Sequence, residues 1–146
     1  PVGGLIAQDH AILQRTLRHE YGHVLVHQLC HTRCPVWLNE GVAIWGEEDQ
    51  DGERADWALR TIAGQELFRL DQLAGSFTRL PPEGVPVAYA QSYLAVRALV
   101  DRHGALRLRE LLLSLGAGAP LPQAFRTALY ENPDAFEAAL VRELTS

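Results

Sequence analysis

The chain has 146 residues and a formal net charge of −5, and all thirteen of its basic residues are arginines. That length suits a single domain with a core of its own, and the acidic balance argues against a nucleic-acid-binding protein, which needs a basic face. No apolar run approaches the roughly 20 residues that cross a bilayer, so no membrane span is expected in this chain.

The chain opens on Pro1 and holds no methionine, so a segment of a longer precursor is expected, with any leader or anchor lying outside it. "VGGLIA" at the start is the only candidate strand and a weak one; any sheet that belongs with this domain is expected upstream of Pro1. From there the pattern is helical. Asp9 suits the N-cap of a helix from about His10 to Leu29, in which Leu13, Leu17, Val24 and Leu25 recur at helical spacing. "CHTRCP" is a connector, and Pro35 suits the first turn of a second helix reaching about Glu48. An acidic turn, "EEDQDGE", separates it from a third helix, Glu53 to Ala63, stopped by Gly64. An irregular stretch follows, with a helical turn near "LDQLAG" and the proline-rich link "RLPPEGVP". Helices from about Val87 to His103 and from Ala105 to Leu115 stop at Gly104 and Gly116. Two short helices finish the chain, the last with Asn132 as cap and Pro133 in its first position.

The most informative stretch is "LRHEYGHVL", which sets His19 and His23 four residues apart around Glu20. On a helix such residues share a face with Cβ atoms about 5–6 Å apart. Both imidazoles can then reach one ion at the roughly 2.0–2.1 Å of a zinc–nitrogen bond. Glu20 points along a neighbouring direction, where it can take a proton from a metal-bound water rather than bind the metal. A catalytic zinc needs a third protein ligand and one position left for water. The second helix, "WLNEGVAIW", offers Glu40, and a short connector should pack it antiparallel to the first, opposite the histidines. A surface role for Glu40, and a chance run of histidines on a solvated face, are the plainer explanations.

"HEYGH" followed by "PVWLNEGVAIW" resembles the gluzincin metallopeptidases, the group that contains thermolysin, and most closely the families grouped as peptidase MA-like. "LDQLAGSF", "AYAQSYLAVRALVDRHG" and "AFRTALYENPDAFEAALVREL" are similar to the downstream helices of the same group. The resemblance implies a mainly α fold, the helical catalytic part of a zincin-like enzyme, with its upstream β-sheet missing or reduced to a short N-terminal strand. It implies zinc as cofactor, His19, His23 and Glu40 as its ligands, and Glu20 as general base for hydrolysis of a peptide or protein substrate. Enzymes of this look are often exported, which favours an extracytoplasmic location. An oxyanion donor from a later helix is also implied, with Tyr89 the first choice and Tyr93 the second; both being packing tyrosines is the alternative. Two departures stand out. The aspartate that buttresses a zinc histidine in thermolysin-like enzymes falls at Ile44, so that support must come from elsewhere. The upstream glycine-rich motif with which zinc aminopeptidases hold a substrate amine is absent, so aminopeptidase activity is not supported. These departures keep open a non-catalytic zinc-binding module that recognises protein partners.

The remaining motifs are weaker. His27 and His31 continue the four-residue spacing, but each step drifts about 40° around the helix, and a second zinc site with Cys30 and Cys34 would be too cramped for tetrahedral geometry. The two cysteines are either free thiols or one small clip across the connector, the clip being favoured in an exported protein. Arg97 could meet a substrate carboxylate, although a solvated arginine is the plainer expectation. "EEDQDG" mimics the start of a calcium loop, but its twelfth position is Ala58 instead of a glutamate.

Overall fold

A computed structural model describes the backbone of residues 2–47 and 52–146, and the side chains from residue 8 onward. Seven α-helices account for most of it: α1 (Val2–Cys30), α2 (Val36–Gly46), α3 (Glu53–Ile62), α4 (Val85–His103), α5 (Ala105–Gly116), α6 (Leu121–Leu129) and α7 (Pro133–Thr145). Short 3₁₀ turns at Leu70–Leu73, Phe77–Arg79 and Pro82–Gly84 punctuate the irregular link between α3 and α4. There is no strand among the described residues, so the fold is mainly α.

The short N-terminal strand is therefore a correction: residues 2–7 belong to α1, and Asp9 lies inside that helix rather than capping it. A lone strand would leave its backbone groups unpaired. Extending a helix that already exists satisfies them without a new nucleation step, even through two glycines. The second helix also ends earlier than expected, at Gly46 with Glu47 as its C-cap. Most of the acidic turn that follows lies outside the described residues. Elsewhere the stops fall close to where glycine and proline place them. Gly64 and Gly104 adopt positive φ of 71° and 86° just past helix ends, and Asn132 accepts a 2.7 Å hydrogen bond from the Asp134 amide as cap of α7.

The centre of the molecule is α2, packed between α1 and α4. These contacts depend on small residues. A Cβ added to Gly22 of α1 would come within 2.8 Å of the Ala43 Cα, and one added to Gly41 would collide with the Ser92 carbonyl of α4. The main core gathers Val26, Trp37, Leu38, Leu73, Leu99, Phe125 and Phe136, and a smaller cluster joins Ile44 to Ala58, Ile62 and Tyr93. A buried Gln91 on α4 ties down the irregular link, donating to the Phe68 carbonyl at 2.5 Å and accepting from the Phe68 amide at 3.0 Å. The apolar spacing of α1 does not mark its core face. Leu13, Leu17 and Val24 are 56%, 59% and 50% exposed, while Gly22, Val26 and Cys30 turn inward.

Candidate metal centre

Because α1 and α2 run side by side, the two halves of the sequence motif meet. The His19 and His23 Nε2 atoms are 3.0 Å apart, and the His23 Nε2 lies 3.5 Å from a Glu40 carboxylate oxygen. One ligand atom from each of His19, His23 and Glu40 falls within 4.8 Å of the others, the only such His/Cys/Asp/Glu group among the described residues. Ligands about 2.0–2.1 Å from a tetrahedral ion stand roughly 3.3 Å apart, so the spacing suits one ion with modest adjustment.

The other ring nitrogens are already engaged. His23 Nδ1 is 2.9 Å from the Asn39 amide oxygen, and His19 Nδ1 is 3.3 Å from a Glu47 carboxylate oxygen. Both partners can accept a proton from Nδ1, the tautomer that would leave each Nε2 free to bind a metal. The two Nε2 atoms and the Glu40 carboxylate converge on one point, where a cation could be held. Glu47 is held in turn by Arg54, whose Nη2 is 3.6 Å from the other Glu47 oxygen. The position that Ile44 leaves without a polar group is thus offset by Asn39, next to Glu40, and by Glu47, each close to a histidine Nδ1. Neither was singled out in the sequence, although a signal existed: Glu47 lies seven residues beyond Glu40, two helical turns along the same face.

Glu20 is exposed on α1, immediately after His19. The two tyrosines have different surroundings. Tyr89 is half-buried, with its ring edge-on to Phe77 at 5.1 Å. Burial, and then the negative charge of Glu40, raise its phenol above the ordinary range, so it remains a hydrogen-bond donor. Tyr93 is fully buried against Trp57, with the Arg97 Nη1 3.4 Å from its hydroxyl. Arg97 also approaches Asp101 at 3.7 Å. His27 and His31 face each other edge-on at 6.5 Å, apart from the cluster. Cys30 and Cys34 are free thiols, and burial first, with their mutual contact second, holds Cys34 well above the usual thiol range.

The family model of the Peptidase MA superfamily matches residues 3–138. The chain belongs to that superfamily. No curated protein and no solved structure matches it. The match spans α1 through the start of α7, so it takes in both the histidine pair and the helices that brace Glu40. Members of the Peptidase MA superfamily are typically metal-dependent, and this chain offers a His–His–Glu group for a metal. Among the described residues, no helix is long and apolar enough to cross a membrane.

Proposed function

We propose that this chain is the catalytic part of a zinc-dependent peptidase of the gluzincin type, with His19, His23 and Glu40 as metal ligands and Glu20 as general base. The observation that supports this reading is the convergence of two Nε2 atoms and one carboxylate, with an acceptor oxygen near each Nδ1. A zinc ion bound there would act as a Lewis acid and bring the pKa of a water down to about 7. Glu20 takes the proton of the attacking water and delivers it to the amine that leaves when the peptide C–N bond breaks. Tyr89, protonated and beside Glu40, donates to the carbonyl oxygen as negative charge gathers on it. Tyr93, buried in the smaller core cluster, serves packing.

The test begins with metal. Protein purified without added zinc or a histidine tag should contain about one zinc per chain, lost in His23→Ala and kept in Glu20→Gln. Glu20→Gln should also lower hydrolysis of a peptide library by about 10²–10⁴-fold. A Glu20→Gln variant as fast as the native chain would sink the mechanism. A second reading, a zinc-binding module that engages protein partners without cleaving them, draws on the exposed apolar residues Leu17, Tyr21 and Val24 of α1. It requires zinc to be retained while the native chain shows no Glu20-dependent hydrolysis.

A further inference from the structure

Away from the histidine pair, a cleft of about 280 Å³ opens where four segments meet: α2, the Leu70–Leu73 turn, α6 and the start of α7. Its walls are Trp37 of α2, Leu70 and Ala74 of the 3₁₀ turn, and Leu121 and Phe125 of α6. Trp37 and Phe125 are fully buried behind the cleft, so its accessible apolar wall is that of Leu70, Ala74 and Leu121. The charged lining residues are Asp71, Asp134 and Glu137, all acidic. Asp71 is already paired with Arg69 at 3.1 Å. Asp134 and Glu137 have no ion-pair partner among the described residues; one Glu137 oxygen accepts from the Leu70 amide at 2.9 Å, and the other is uncommitted by any hydrogen bond there.

Asp134 and Glu137 are three residues apart on α7, so they share a face and repel each other. A cation between them would relieve that repulsion, and an apolar stem below it would cover that apolar wall. Guanidinium matches this pair better than ammonium does. It is planar and presents parallel N–H groups to carboxylates. We propose that this cleft binds an arginine side chain of a peptide, its stem against Leu70, Ala74 and Leu121 and its guanidinium between Asp134 and Glu137. The proposal is independent of the metal and of the peptidase reading.

The experiment is an NMR titration of the ¹⁵N-labelled full chain with the peptide acetyl-Leu-Arg-amide, and with the same peptide carrying neutral citrulline for arginine. The expected result is saturable binding of the arginine peptide, with shifts at the amides of Ala74, Phe125, Asp134 and Glu137, and binding about tenfold weaker with citrulline. Asp134→Asn combined with Glu137→Gln keeps the shape and removes both charges; it should weaken the arginine peptide by about the same factor. Ala74→Trp leaves both carboxylates and fills the cleft, and should abolish binding. His23→Ala should bind as the native chain does. Equal affinity for arginine and citrulline, no loss in either cleft variant, loss in His23→Ala, or no saturable binding at all would each overturn the proposal.

Discussion

Two histidines one helical turn apart do not by themselves define a metal site, because their orientation depends on what holds the rest of each ring. Asn39 and Glu47 provide that hold here, each placing an acceptor oxygen beside an Nδ1, while the two Nε2 atoms meet on the side of Glu40. Loss of such an outer partner typically costs 10–100-fold in metal affinity. Glu47→Gln should therefore weaken zinc binding by about tenfold without unfolding the chain, as read by competition with a chromophoric chelator. Unchanged affinity would mean that Glu47 only buttresses Arg54. Tyr89 makes a separate prediction. Its raised pKa means that it stays protonated below its ordinary range and loses its proton only above it. Tyr89→Phe should lower the rate by about 10²–10³-fold while zinc is retained, and in the native chain Tyr89 should cause no alkaline loss of rate below about pH 10. The grouping of His19, His23 and Glu40 was legible because HExxH spacing has one geometric meaning on a helix. Asn39 stood inside the quoted motif with no role assigned, and Glu47 was hidden in an acidic run that reads as solvated.

At the level of whole helices, contacts between backbones matter more than apolar spacing. Gly22 faces Ala43 so closely that a side chain there must push α1 away from α2. Gly22→Val should destabilise the metal-free chain by about 1–3 kcal/mol in urea unfolding, and it should also weaken zinc binding, because the ligands sit on the two helices being separated. A variant that loses stability but keeps full zinc affinity would show that the ligand side chains adapt to the shift. The same feature explains what the sequence could and could not reveal. Helix stops at Gly64 and Gly104 and the Asn132 cap were readable because each has a local backbone cause. The inward face of α1 was not, since a glycine and an alanine in contact leave no mark on a hydrophobic pattern. The start of α1 was missed for a related reason: strand propensity in "VGGLIA" says nothing about whether a partner strand exists.

For the molecule as a whole, an ion on His19, His23 and Glu40 would link α1 to α2, two helices joined otherwise by packing and a short connector. Binding to the folded state alone adds about 4 kcal/mol when free zinc is a thousandfold above Kd, on the order of 10 °C in melting temperature for a chain of this size. Calorimetry should show that rise with zinc, its reversal by a chelator, and no response in His23→Ala. A melting temperature indifferent to zinc would remove the ion from the folded state. The two helices are not held alike. Packed between α1 and α4, α2 is fixed on both sides, whereas α1 keeps Leu13, Leu17 and Val24 bare on its outer side. α1 is itself packed on α5 near its C-terminal end, where Gly116 abuts Leu29, so its less enclosed part is the N-terminal half.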